Sequence, residues 1–379
     1  MFGLLLLLLL VGIPLAGFWV SGYLHRPLPL EEPVLVEVAP GSSFNGLLAG
    51  MRADGLLGEP PEARLRRWSA RLYSAFTGVD ARLHVGEYQL NPGDSLLTLL
   101  EKIDRGDVLQ RSVTLVEGWN FREWRARLAG LEGIEHTLVD LDGAAVMARL
   151  GRPGAHPEGW FAPETYFYTR GTRDVDLLRR ALERQQRILD QAWAARDEDL
   201  PYDTPYEALI MASIVEKETA VPAERGRIAG VFINRLRKGM RLQTDPTVIY
   251  GMGTDYDGNI RRSDLRRKTP YNTYAISGLP PTPIAMPSRE SILAAVSPEP
   301  TEDLFFVARG DGSHKFSRTL AEHQRAVREY QLKRRENYRS SPEPQPRAGV
   351  LSRWKAARAP ARVPTWRGSP SACATRASQ

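Results

Sequence analysis

Residues 2–24, FGLLLLLLLVGIPLAGFWVSGYL, contain no charged side chain, and about 20 consecutive apolar residues suffice to cross the hydrocarbon core of a bilayer as a helix. No other feature constrains the chain as strongly, because whatever follows must fold while tethered to a membrane. A cleaved signal peptide has a shorter apolar region and a small-x-small cleavage site. This stretch instead continues to Trp19 and Tyr23, residue types suited to the membrane interface. An uncleaved transmembrane anchor over residues 1–25 is therefore expected. His25 and Arg26 follow the segment and no Lys or Arg precedes it, a charge pattern that by itself opposes export. Long downstream domains are translocated largely regardless of flanking charge, so the remainder is expected on the extracytoplasmic side.

The formal charge of +6 would suggest nucleic-acid binding if it were spread over a folded face. It is not, because residues 340–379 hold seven Arg or Lys against the single Glu343 and account for the whole excess. That end is rich in Pro, Ser, Ala and Arg without apolar periodicity, so residues 337–379 are expected to be a disordered basic tail. No nucleic-acid partner is expected. The sole cysteine, Cys373, lies in the tail, which excludes an intramolecular disulfide, a thiolate metal site and a cysteine nucleophile within the folded part. The nearest histidines in sequence, His314 and His323, are nine residues apart, a spacing that suggests no metal site. The stretch GDGSH (310–314) lacks the Lys-Ser/Thr of a phosphate loop, and no G-x-S-x-G occurs. Neither a metal nor a cofactor is expected.

After a Pro-rich linker (26–33), two segments share P-G-x-S-(F/L)-x-x-L-L, aligned at Pro40 and Pro92. In each, a strand (Val34, Val36, Val38; Tyr88, Leu90) enters a Pro-Gly turn and a serine, Ser43 or Ser95, is placed to cap a helix. Residues 34–110 thus read as a small subdomain of two βα units. It resembles, over a short pattern, the LysM-like modules of proteins that handle cell-wall glycan, and a role in packing alone is equally compatible. Residues 111–171 form a connecting region. It begins with a strand and a helix carrying Phe121, Trp124 and Leu128 at core spacing, and it ends in HPEGWFAPETYFYTRG (156–171), too rich in Gly and Pro for a regular helix. The five aromatics of that stretch, at 160, 161, 166, 167 and 168, suit either a saccharide platform or a packed hinge. Residues 172–336 then form the larger unit, opening with an amphipathic helix over 173–198 and continuing with a helix pair broken near Pro222.

The first helix of that pair ends ASIVEKET (212–219). At about 100° per residue, with Ile214 at zero, Glu218 falls at about +40°, between Ile210 at about −40° and Val215 at about +100°; Glu216 falls at about 200° beside Ser213 and Lys217. Glu218 is thus expected to continue an apolar stripe and Glu216 to be solvated. A carboxyl pressed against apolar neighbours loses hydration in its charged form, so its pKa rises and it can act as a general acid. The competing expectation is a structural ion pair with Arg225 or Arg241. Downstream, RLQTDPTVIYG (241–251) and TPYNTYAISGLPPTPIAMPS (269–288) are loops of amides, hydroxyls and aromatics with few charges. That chemistry suits a sugar bearing hydroxyl and acetamido groups.

ASIVEKET, VFINRLRKGMRLQTDPTVIYG, YNTYAISGLPPTPIAMPS and HKFSRTLAEH together closely resemble the endolytic murein transglycosylases, the YceG-like family, over about residues 1–335. The resemblance implies an α+β fold: an N-terminal transmembrane helix, the LysM-like subdomain, and a larger mixed α+β catalytic domain at the extracytoplasmic side of the bacterial inner membrane. It implies a lyase that cleaves the MurNAc-GlcNAc bond within nascent strands, leaves 1,6-anhydro ends and terminates elongation, with peptidoglycan strands and synthesis enzymes as partners. The family's catalytic acid, the second glutamate of V-E-K-E-T, maps onto Glu218. Gln243, Asp245, Tyr271, Asn272 and Tyr274 are expected substrate contacts, and His314 and Phe316 either line the same cleft or belong to the core. Three rivals stand beside this expectation: a hydrolase with Asp245 as second carboxylate, a non-catalytic glycan-binding scaffold, and a pyridoxal-phosphate lyase using Lys217.

Overall fold

A computed structural model describes residues 17–332. Most of the expected anchor and all of the expected tail lie outside the described residues. Residues 17–25 are helical, and among the described residues no helix is long and apolar enough to cross a membrane. What is described is mixed α+β, with helices arranged around two-stranded sheets.

Both expected βα units are present. Strand β1 (Val34–Val38) leads to α1 (Phe44–Ala53), whose N-terminus is capped by the Ser43 side chain. After α2 (Glu62–Thr77), strand β2 (Gly86–Leu90) leads to α3 (Leu96–Arg105), where Ser95 and Thr98 form a reciprocal capping box. The cap oxygens satisfy backbone N–H groups that have no partner within the helix, which is why both helices begin at the serine. β1 and β2 pair antiparallel, Val34 opposite Leu90, over a core that includes Leu48, Met51, Tyr88, Leu99 and Ile103. Helix α2 has no counterpart in the sequence-based expectation: it reads EARLRRWSARLYSAFT and buries mainly small residues, Ala63, Ser69, Ala70 and Ser74, so its apolar stripe is faint. The stretch expected as a free linker is fastened to this unit. Leu28 is buried and its N–H donates to the Asp94 carbonyl.

Strand β3 (Arg111–Leu115) pairs antiparallel with β4 (Glu164–Tyr168), Val113 opposite Tyr166. Helix α4 (Phe121–Ala129) begins at an Asn120–Glu123 capping box and buries Phe121, Trp124 and Leu128. One hydrophobic core runs from Val113 to Val296, so the region expected as a connector shares the core of the larger unit. Trp160, Phe161, Tyr166 and Tyr168 are buried within it, whereas Phe167 faces outward, as strand alternation requires.

Helices α5 (Asp174–Ala194), α6 (Pro205–Glu218), α7 (Arg225–Arg237), α8 (Asp245–Met252) and α9 (Arg289–Val296) complete the part that positions the site. α6 starts where Thr204 and Glu207 cap each other's backbone and Pro205 supplies a preset φ. Every residue from Ala208 to Val215 is buried, which makes α6 the central rod of the core rather than an amphipathic surface helix. Even Ser213 is enclosed: its hydroxyl donates to the Ile210 carbonyl at 2.7 Å and accepts from the Ile284 N–H at 3.0 Å.

α7 is held against residues 299–303 by Asn234, whose side-chain amide donates to the Thr301 and Asp303 carbonyls. Gly230 allows that approach, since a Cβ there would meet the Glu299 carbonyl oxygen at 2.7 Å and Thr301 Cγ2 at 2.8 Å. Gly230→Ala is therefore expected to destabilise the protein by about 1–3 kcal/mol through overpacking, although alanine is the better helix former. Thermal unfolding of the two proteins checks this.

Candidate active site

The end of α6 carries two carboxylates in contrasting surroundings. The sequence pattern places Glu216 on a solvated face, and the structure corrects this: the side chain is only 4% exposed. Because α9 and the loop before it cover that side of α6, Glu216 accepts from the Ser288 N–H at 2.9 Å, the Ser288 hydroxyl and the Ser291 hydroxyl at 2.7 Å, and it pairs with Arg225 at 3.5 Å. Its charge is compensated from several directions, as a buried ion needs. The structural ion pair considered for Glu218 thus belongs to Glu216. Arg241, the other candidate partner, donates to the Tyr274 carbonyl.

Glu218, one half-turn further, is half-buried and accepts a hydrogen bond from the Thr244 hydroxyl. Burial is the largest influence on it and raises its pKa to about 7; the Thr244 bond and the Arg235 charge act downward, and the Asp245 charge acts upward. Desolvation penalises the ionised form more than one hydroxyl donor can offset. The result is a carboxyl that holds its proton near neutrality, as a general acid must.

Thr244 is positioned by a cluster of threonines. Its N–H donates to the Thr273 hydroxyl at 3.0 Å, its carbonyl accepts from the Thr247 hydroxyl at 2.8 Å, and the Thr247 and Thr273 hydroxyls lie 2.8 Å apart. All three residues are buried. The chain enters this arrangement through Gln243 at φ +52°, whose N–H donates to the Thr273 carbonyl. A non-glycine residue in the left-handed region is strained by about 1–3 kcal/mol and persists only where its surroundings enforce it. From α7, Arg235 adds donors to the Leu242 and Leu304 carbonyls and so fixes the same loop.

The expected substrate contacts separate by geometry. Gln243 and Asp245 are exposed on either side of Thr244, and the Tyr274 hydroxyl donates to Asp245 at 2.6 Å. Burial and the Asp245 contact raise the Tyr274 pKa, and the Glu218 charge adds to the same shift, so Glu218, Asp245 and Tyr274 form one electrostatic group. Tyr271 is partly exposed, with its hydroxyl 2.8 Å from that of Thr282 and its ring edge-on to Tyr250. Asn272 is buried and its side-chain amide donates to the Asp264, Leu265 and Arg267 carbonyls; those bonds secure the loop that carries its neighbours. His314 lies beside Glu224, 2.7 Å away, and with Phe316 lines a cavity of about 380 Å³ shared with Arg227 and Lys315.

Thr244, Thr247 and Thr273 are positioning groups that the sequence pattern does not single out, the dense hydroxyls of QTDPT and YNTY being the one local signal of them. Nor does that pattern single out Glu158, a buried carboxylate that caps α4 by accepting the Phe121 N–H at 2.9 Å. Burial raises its pKa to about 7 as well, and nothing in the local pattern announces it. Among the described residues no group of side chains is arranged to hold a metal ion.

A desolvated carboxyl at the end of α6, flanked by segments rich in hydroxyls, amides and tyrosines in an α+β scaffold, has the chemistry that general-acid catalysis requires. The chain belongs to the YceG-like family, whose model matches residues 36–329. The endolytic murein transglycosylase of Bacillus subtilis (strain 168) is 31% identical over 275 residues, covering 68% of this chain and 75% of that protein. The endolytic murein transglycosylase of Streptococcus pneumoniae serotype 2 is 32% identical over 188 residues, covering 46% of this chain and 32% of that longer protein. The crystal structure of a YceG-like protein from Listeria monocytogenes covers 78% of this chain at a TM-score of 0.49 and 26% identity.

Because the Thr244 bond opposes the rise in the Glu218 pKa, Thr244→Val should push that pKa further up. The alkaline limb of kcat/KM is then expected to move to higher pH while kcat falls about 10-fold or more, from loss of a donor to the carboxylate. Parallel pH–rate profiles of the parent and variant check both effects.

Proposed function

We propose that this chain is an endolytic murein transglycosylase, a lyase that cuts the bond between N-acetylmuramic acid and N-acetylglucosamine inside peptidoglycan strands. One observation carries this: Glu218, raised to about 7 by burial at the end of α6, occupies the acid position in a chain of the YceG-like family whose curated relatives bear that name.

In the first step protonated Glu218 donates to the bridging oxygen as the bond to C1 of the muramoyl ring breaks toward an oxocarbenium-like state. Thr244 donates to Oε1, which leaves Oε2 as the oxygen that can carry the proton. The carboxylate formed is then stabilised by the same Thr244 bond. In the second step it takes the proton of the muramoyl C6 hydroxyl, whose oxygen attacks C1 and closes a 1,6-anhydro ring. Proton and bond balance without water, and Glu218 ends protonated as it began. Gln243, Asp245, Tyr271 and Tyr274 contact the sugars in this account, and Asn272 holds their loop in place.

The uncharged segment 2–24 supports a single-pass anchor in the cytoplasmic membrane with the enzyme outside, where nascent strands lie. Synthases that extend those strands are the corresponding partners, and cleavage ends elongation. The 34–110 unit is a further glycan contact on the strength of its LysM-like pattern. The proximity of Asp245 to Glu218 motivates one rival, a retaining hydrolase with Asp245 as nucleophile.

Digestion of purified glycan strands separates the two. The parent protein is expected to release anhydro-ended products, and Glu218→Gln to lower kcat by about 10²–10⁴-fold. Since only the protonated acid can donate, parental kcat/KM should fall as pH rises through about 7. Reducing-end products would favour the hydrolase, and undiminished turnover by Glu218→Gln would remove the catalytic assignment.

A further inference from the structure

A cavity whose lining does not include Glu218 lies between β4 and α5. It measures about 540 Å³ and is lined by Phe167 to Thr169 of β4 and the turn after it, by Asp176, Arg179, Arg180 and Glu183 of α5, and by Gln110. That volume falls within the range of small-ligand sites. Phe167 is 58% exposed although its strand neighbours Tyr166 and Tyr168 are buried. Its backbone is fixed by pairing with Ser112 and by a hydrogen bond from Arg180 to the Phe167 carbonyl. Asp176 is oriented before any ligand arrives, because Arg173 and Arg179 both bind its carboxylate.

We infer that this groove is a distal subsite for the glycan strand, with the ring of Phe167 covering a sugar CH face and Asp176, Arg179 and Gln110 meeting its hydroxyl, acetamido and carboxylate groups. The chemistry of the lining selects this occupant. An exposed aromatic beside a pre-oriented carboxylate, guanidinium groups with spare donors and an amide offers an apolar face together with dense polar partners, the combination that a carboxylate-bearing sugar presents in return. A nonpolar helix or peptide would cover these charges without offering partners to their remaining donors and acceptors.

Topology links the groove to the catalytic end. β3 starts beside Gln110, and the chain continues to Gly118, whose carbonyl accepts from Lys217 Nζ at 3.1 Å next to Glu218. The eight Cα-to-Cα steps from Gln110 to Gly118 span at most about 29 Å, a separation that one long glycan strand can bridge. An enzyme that cuts inside strands gains a means of recognising them far from the bond that breaks.

This inference rests on the glycan reading of the Glu218 site, and binding measured without turnover tests the two separately. In the full-length Glu218→Gln protein, affinity for long, peptide-free glycan strands is compared with affinity for a tetrasaccharide, with and without Phe167→Ala. Removing about half the ring's burial on the ligand is expected to weaken long-strand binding about 10-fold and to leave tetrasaccharide binding and the melting temperature unchanged. Equal long-strand affinity with and without the Phe167 ring would overturn the subsite alone. Failure of the Phe167-intact protein to bind either glycan would overturn both the subsite and the glycan reading.

Discussion

The site depends on the desolvation of one carboxyl at the end of a helix that is buried on all faces from Ala208 to Val215. Water cannot solvate Glu218 fully because its side chain is half-buried against the turn that carries Thr244, and the fold supplies a single hydroxyl, from Thr244, in its place. That shortfall keeps the proton on at neutral pH. The surrounding features serve this balance: Arg225 and two serines satisfy Glu216 so that the same helix end can tolerate a second carboxylate, and the threonine cluster holds Thr244 at the one position where its hydroxyl reaches Glu218.

Two carboxylates two residues apart are thereby given different work. Glu216 is a strut between α6, α7 and α9, because its partners come from Arg225 at the start of α7 and from Ser288 and Ser291 at the start of α9. Truncating it would leave buried donors without a partner. Glu218 faces the short turn 241–244, which the sequence pattern extends as a loop to 251 but which the structure ends at α8, and the loop 269–288; the strained entry at Gln243 is enforced by backbone bonding to Thr273. Strain at that point and an under-solvated acid beside it are the usual concessions of stability to function.

Much of this was legible in the sequence where local chemistry decides. The Pro-Gly-x-Ser repeats announced both capped helices, and Phe121, Trp124 and Leu128 announced a core face. The helical wheel singled out Glu218, but its premise of one buried stripe holds only for a surface helix. α6 is enclosed, so Glu216 is buried too, and what distinguishes the pair is the number of partners that other segments bring. Those partners lie 72 and 75 residues away at Ser288 and Ser291, and 26 away at Thr244, separations that no local pattern encodes. The cap that Glu158 supplies to α4 from 37 residues away is hidden for the same reason, whereas α2 is hidden locally, because the small residues it buries leave only a faint stripe.

The most direct test of this account is a site-resolved carboxyl titration. With ¹³C-labelled glutamate, two side-chain resonances are expected to titrate near pH 7, from Glu158 and Glu218, and one of them should vanish in Glu218→Gln. If the resonance assigned through that substitution titrates instead near the ordinary glutamate value of about 4.3, burial does not hold the proton on Glu218 and the account fails at its centre.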